Sequence, residues 1–383
     1  MDGAEVVPGA NMQAPQPVGP LFIGSEIYRG SSYGGAHPLR IPRVSTVIDL
    51  ARSMGWFAKA QYRNSPCARP AALTLWHRPD YLDALQLAEV QGMVSDAVRL
   101  RHHLGTLSNP VFPQMFRRPA TGAGGMMLAA ELLRHGGVVH VPGGGTHHGL
   151  PDRANGFCYL NDLVLCMLVM RRIGIARIAY VDIDAHHCDG VAHAFAATPE
   201  VLMISVHEEG RWPFTGRLDD KGCGNAFNLP VPQGFNDTEM RMVIDRLILP
   251  RVVHHCPDAI ILQCGADALT EDPLSRLALS NNAHRAVARA LRPLSPRFLV
   301  TGGGGYNPWS VGRCWTAIWA DLCGHEVPDR LPPGSEAILR ALPRGARARP
   351  PPEAAMFTTL ADPPREGPVR AEISDRLGML AVR

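Results

Sequence analysis

Lysine is nearly absent from this chain: only Lys59 and Lys221 occur, so its basic charge is almost entirely arginine. That bias reads as the imprint of a GC-rich genome, and no function is assigned to it. Net charge is also low, formally +3 over 383 residues. A balance of that kind leaves no electrostatic footprint for nucleic acid or an anionic membrane. No long hydrophobic run is present. The most extended, residues 163–170, falls far short of the roughly 20 residues a membrane helix needs. Residues 1–20 contain neither a basic stretch nor an apolar one, so no signal peptide is expected. The nine cysteines include no CxxC pair. An odd count at scattered spacing excludes a disulfide framework and reads as reduced thiols in the cytoplasm.

What is present is a globular composition, with 46% hydrophobic residues. Residues 1–20 are rich in Pro, Gly and Ala and are expected to be flexible. From there to about residue 330, helical and strand-like segments alternate. Residues 123–135 and 161–173 read as helices; 137–141, 178–184, 201–206, 259–263 and 298–301 read as short apolar strands. Such alternation implies a single α/β domain with a mostly parallel central sheet covered on both faces. Residues 331–383 read as a Pro/Arg-rich C-terminal appendage, with seven Pro and seven Arg from Pro343 onward.

Polar clusters follow the strand-like runs, at 143–148, 182–189, 207–209, 265–267 and 302–306. In open α/β sheets, ligand sites lie beyond the carboxyl ends of the strands, so five clusters in that position point to one shared site. The densest is Asp182-Ile183-Asp184-Ala185-His186-His187-Cys188-Asp189. Alternate side chains of an extended segment point the same way, so Asp184 and His186 can reach one ion. Carboxylate oxygen and imidazole nitrogen are zinc ligands, and Asp267, just past the run 259–263, is placed to be the third. Asp182, one repeat earlier, suits the role of orienting a histidine. His147 and His148 follow three glycines and offer a base and a polarising imidazole, with Asp182 and Asp189 as the carboxylates to fix their tautomers. Tyr306 ends the run Thr301-Gly302-Gly303-Gly304-Gly305, which matches neither nucleotide-binding glycine motif. A phenol there can donate to a developing oxyanion.

These residues resemble the histone deacetylase superfamily, especially its bacterial acetoin utilisation branch. The resemblance rests on GGGTHHGLPDRANGFCYLND (143–162), YVDIDAHHCDG (180–190), QCGADALTEDP (263–273) and TGGGGYN (301–307), with HPLRIPR (37–43) and LGTLSNPVFP (104–113) in support. It spans roughly residues 21–330 and implies an arginase/deacetylase-like fold with one zinc per chain held by Asp184, His186 and Asp267. It further implies His147 and His148 as the catalytic pair, with His148 the general base and acid. Asp182 and Asp189 become their partners, and Tyr306 the phenol that polarises the carbonyl. Gly156, Phe157 and Trp212 would wall a tunnel for an acyl-lysine stem, Leu274 would form its rim, and Arg43 would line an inner channel. A structural K+ near the strand carrying Asp182 and Asp184 is also implied. The expected activity is deacetylation of lysine side chains or a related acylated amine.

Three positions depart from the pattern. Ser108 stands where an aspartate usually clamps the substrate backbone, Cys188 replaces a glycine, and Phe214 replaces another. Leu274 at the rim argues against a polyamine substrate, although Glu208, Glu209 and Glu271 are placed to supply the missing negative charge. Alternative readings are an acetylpolyamine deacetylase, a low-turnover acyl-lysine binding protein, and a two-manganese ureohydrolase, which needs a DxDxxDP-type run where the segment 265–273 offers only the aspartates Asp267 and Asp272. The expected partners are an acylated lysine peptide or small acylated amine, with no oligomeric state assigned.

Overall fold

The computed structural model describes residues 18–35, 37–344 and 352–381. Eight parallel strands form one sheet: β1 (Val18–Gly24), β2 (Tyr62–Asn64), β3 (Gly137–Val141), β4 (Ile178–Asp182), β5 (Val201–Glu208), β6 (Ala226–Val231), β7 (Ala259–Gln263) and β8 (Arg297–Thr301). Their order across the sheet is β2-β1-β3-β8-β7-β4-β5-β6. The expected single α/β domain is therefore observed, with the sheet parallel throughout.

Alternation along each strand divides the core in two. Ala179, Val181, Leu202, Ile204, Ile260, Leu262, Phe298 and Val300 face one cluster. Ile178, Tyr180, Val201, Met203, Ala259, Ile261 and Leu299 face the other. The first face is covered by helices Val44–Ser53, Asn281–Leu291 and Pro308–Cys323, the second by Arg117–Leu132 and Asp162–Arg172. Strands buried on both faces must be apolar at nearly every position, which is why they were recognisable as continuous runs.

The helix expected at 123–135 begins earlier, at Arg117, and ends in a 3-10 turn, Leu133–His135. Its Gly-rich sequence disguises it. Gly124 lies against the 65–68 loop, and a Cβ there would sit 2.0 Å from the Pro66 carbonyl oxygen. Tertiary packing thus selects a residue that helix propensity disfavours. Strands β1, β2 and β6 carry weaker sequence signals: β2 is three residues long, and β6 contains Pro230, tolerated because this strand lies at the sheet edge. Of the expected flexible segment 1–20, residues 1–17 lie outside the described residues, while Val18 opens β1. The segment read as an appendage includes helices Pro333–Arg340 and Ala371–Leu380 and adds Leu339, Leu360, Ile373, Leu377 and Leu380 to the first core.

The register positions the site. Val141 pairs with Thr301, Thr301 with Gln263, and Gln263 with Asp182. The last residues of β3, β8, β7 and β4 therefore stand in one row, and the four following loops leave the sheet at the same level.

Candidate metal centre

Asp184 and His186, just beyond β4, and Asp267, just beyond β7, present one ligand atom each, all within 4.8 Å of one another. His186 Nδ1 lies 3.1 Å from Asp184 Oδ1 and 2.9 Å from Asp267 Oδ2. Neither aspartate is exposed by more than 1%. Backbone and amide donors hold the carboxylates. Asp184 Oδ2 accepts from Gly304 N at 2.7 Å and Gln263 Nε2 at 2.9 Å, and Asp267 Oδ1 accepts from Ala185 N at 3.0 Å. Gly304 is required by space, because a Cβ there would fall 2.0 Å from Asp267 Oδ2. Burial lowers the His186 pKa, but the two carboxylates outweigh it and push the imidazolium up to about 10. Burial and the charge of Asp184 raise Asp267 to about 6. Two buried carboxylates this close are stable only with positive charge between them, from the His186 imidazolium or from a metal ion that replaces its proton. The oxygen–nitrogen–oxygen donor set fits a divalent metal such as zinc.

The histidine pair lies beside this trio, with ring centroids 3.9 Å apart. His147 Nδ1 meets Asp182 Oδ2 at 2.8 Å, and its Nε2 lies 3.8 Å from Asp184 Oδ1. Asp182 also accepts from the Tyr180 hydroxyl and, through Oδ1, from Asp184 N at 3.0 Å. His148 Nδ1 meets Asp189 Oδ1 at 2.6 Å, and Asn155 Nδ2 donates to Asp189 Oδ2 at 2.9 Å. An ionised carboxylate only accepts, so each Nδ1 carries a proton. The two rings are driven apart electrostatically. Against the effect of burial, Asp182 and Asp184 push His147 up to about 9. Burial and then the charge of His147 push His148 down to about 4, against the pull of Asp189. The two imidazoles thus shift in opposite directions, His147 toward the cation and His148 toward the neutral ring.

Tyr306 faces the same space from the loop after β8. Burial and the charges of Asp267 and Asp184 raise its phenol well above 10, so it remains a donor. A cavity of about 740 Å3 connects solvent to His148, His186 and Tyr306, passing Gly156, Phe157, Trp212 and Leu274. Trp212 stands edge-on to His148 at 4.7 Å, and Phe157 meets Tyr306 at 5.8 Å. Gly156 has φ +51°, and a Cβ there would strike Trp212 at 2.3 Å and His148 at 2.7 Å. Behind the trio is an inner cavity of about 50 Å3 that includes Arg43. Arg43 Nη1 donates to Gly303 O at 2.7 Å, while its buried Nε has no partner. A larger neighbouring cavity, about 860 Å3, shares Glu208 and Phe214 with the mouth but reaches none of the trio.

All thirteen residues singled out from the sequence thus gather around one tunnel or directly behind it. Sequence reasoning missed the supports: Tyr180 on Asp182, Asn155 on Asp189, Gln263 on Asp184, and Asp272. The last accepts from Tyr306 N at 2.6 Å and from Leu274 N at 2.8 Å. Tyr180 was recoverable from its i, i+2 spacing to Asp182, and Gln263 as the polar end of an apolar run; Asp272 had no comparable signal. The glutamates expected to add negative charge are already engaged: Glu208 with Arg211, Glu209 with Arg376 and Glu271 with Arg365. Cys188 is buried in the second core, and Phe214 is exposed at the mouth.

Comparison with known proteins matches residues 37–322 to the histone deacetylase domain. Acetoin utilization protein AcuC of Bacillus subtilis (strain 168) is 33% identical over 82% of this chain and 84% of its own length. Histone deacetylase 9 of Arabidopsis thaliana is 35% identical over 79% of this chain and 73% of its own. The crystal structure of an HDAC homolog from Aquifex aeolicus superimposes with a TM-score of 0.90 at 35% identity, over 95% of this chain and all of that one.

Proposed function

The chain belongs to the histone deacetylase family, and on that premise we propose that it is a zinc-dependent amidohydrolase removing acetyl, or another small acyl group, from lysine side chains or a related acylated amine. The observation that carries the proposal is the convergence of an Asp/His/Asp trio, two histidines each paired with an aspartate, and a tyrosine on one tunnel. Asp184, His186 and Asp267 would hold Zn2+, which when bound supplies Lewis acidity to the amide carbonyl and to water.

The chain's own groups then divide the work. Neutral His148, oriented by Asp189, takes a proton from the attacking water at Nε2 and later gives it to the leaving amine. His147, fixed by Asp182, stands beside His148 as the polarising imidazole. The Tyr306 phenol donates to the oxyanion as the tetrahedral centre forms. Gly156, Phe157 and Trp212 exclude water from an extended alkyl stem, and Leu274 borders its entry. Arg43 lines the space where a small acid product would first reside.

The acetylpolyamine alternative is the weaker reading, because Leu274 borders the entry and, among the described residues, Glu208, Glu209 and Glu271 are each paired with an arginine. The ureohydrolase alternative requires further carboxylates to hold a second metal, whereas Asp272 is turned to two backbone N–H groups. A structural K+ near β4 and a cytoplasmic location belong to the proposal; the latter rests on nine unpaired thiols. No helix among the described residues is long and apolar enough to cross a membrane. The test is metal analysis together with turnover of an acetyl-lysine peptide. About one zinc per chain is expected, with a loss of roughly 10²–10³ in kcat for Tyr306→Phe. Full activity of that variant would remove Tyr306 from the mechanism, and a two-manganese content would remove the zinc assignment.

A further inference from the structure

The charges at the tunnel mouth are unevenly satisfied. Glu208, 3% exposed, receives Arg211 Nε at 2.6 Å and Nη2 at 2.9 Å. Glu209 is bridged by Arg376 at 2.9 and 3.0 Å. Ser108, which lines the same mouth, carries no charge. One charged side chain at the mouth remains without an opposite charge. Arg276 is exposed, it lines the same cavity as His148, His186 and Tyr306, and it forms no ion pair among the described residues. The hydrogen bond recorded for its guanidinium goes to the neutral Gln233, at 3.3 Å.

Its backbone, by contrast, is fixed at both ends. Arg276 N donates to Glu208 Oε2 at 2.8 Å, and its carbonyl accepts from Gly234 N at 2.8 Å. Glu208 therefore spends its charge on Arg211 and on positioning this loop, while the Arg276 guanidinium is held out over the entry. A second ammonium on a bound amine would meet uncompensated positive charge there, whereas a carboxylate would complete an ion pair.

We infer that Arg276 is a specificity-determining residue that selects acylated amines bearing a carboxylate close to the alkyl stem, in preference to those bearing only a further ammonium. This deepens the deacylase reading and rests on it. The carboxylate comes either from an acidic neighbour of acyl-lysine in a peptide or from the α-carboxylate of the free amino acid. An exposed pair of this kind is worth at most about fivefold in affinity, and it fades at 1 M salt, where the screening length is only about 3 Å.

The experiment uses the full chain loaded with zinc. Two substrate pairs are compared by kcat/KM at low and high salt: Nε-acetyl-lysine with N-acetylcadaverine, and acetyl-lysine peptides with Asp or Lys on both flanks. The inference expects the carboxylate-bearing member of at least one pair to be favoured by about three- to fivefold at low salt, through KM. Which pair responds identifies the source of the carboxylate. Arg276→Gln abolishes the preference, Arg276→Glu reverses it, and 1 M NaCl erases it. Turnover without charge preference, or a preference that survives both variants, overturns the role of Arg276 alone. No turnover of any of the four substrates by the wild-type enzyme overturns the deacylase reading, and the inference with it.

Discussion

Replacing Asp272 by Ala removes the acceptor shared by the Tyr306 and Leu274 backbone N–H groups, at 2.6 and 2.8 Å. Asp272 is fully buried, so water does not replace it. Each N–H left unsatisfied costs about 1–3 kcal/mol, hence roughly 2–6 kcal/mol for the two. Unfolding entropy of about 2.1 cal/mol/K per residue gives roughly 0.8 kcal/mol/K for this 383-residue chain. The melting temperature should therefore fall by about 2–8 °C. The effect on activity should exceed what stability alone explains. Once the Tyr306 backbone loses its anchor beside the four glycines, the phenol is misplaced, and displacements near 1 Å cost about 10²-fold. The assay is a double-mutant cycle in kcat with Tyr306→Phe, below the melting transition of every variant. If Asp272 acts through Tyr306, the double variant is no slower than Tyr306→Phe alone. Multiplicative losses, near 10⁴-fold, would refute the reasoning. Should Asp272→Ala fail to fold, Asp272→Asn keeps one acceptor and the same shape, and the same cycle applies.

Two further outcomes follow from the geometry. Gly156→Ala places a Cβ at φ +51°, 2.3 Å from Trp212 and 2.7 Å from His148, so kcat/KM for acetyl-lysine should drop at least tenfold while the melting temperature moves by only a few degrees; unchanged kinetics would mean the tunnel does not run past Gly156. Burial pushes His77 and His140 down to about 4, against about 6.5 in an unfolded chain. Between these values the unfolded state binds more protons, so their stabilisation is complete above pH 6.5 and lost as pH falls toward 4, by about 3 kcal/mol for each ring. His140→Phe preserves the ring packing against Phe22 and Trp319, and its thermal melts should lose about 4 °C less than wild type across that window; parallel pH profiles would contradict this assignment.

The parts of the site recognisable in the sequence are those set by local geometry. Asp182, Asp184 and His186 lie on a strand and its exit, where alternate residues share a direction, so their cooperation could be argued from spacing alone. The order of the strand-end clusters likewise announced a common site, because parallel strands deliver their carboxyl ends to one edge. The charge state of the rim could not be anticipated in the same way. Glu209 and Glu271 looked available until Arg376 and Arg365 were seen to hold them, from a segment that read as an appendage. Those partners are separated by about a hundred residues or more, and no periodicity links them.

By itself, then, the sequence determined the parallel α/β architecture and pointed to the candidate metal trio and the histidine pair, since each depends on residue type and short-range spacing. Only the tertiary structure decided which arginine pairs with each rim carboxylate, which aspartate holds each histidine, and how Asp272 ties Tyr306 to the rim. Those properties depend on burial and on long-range pairing, which exist only once distant segments have packed together.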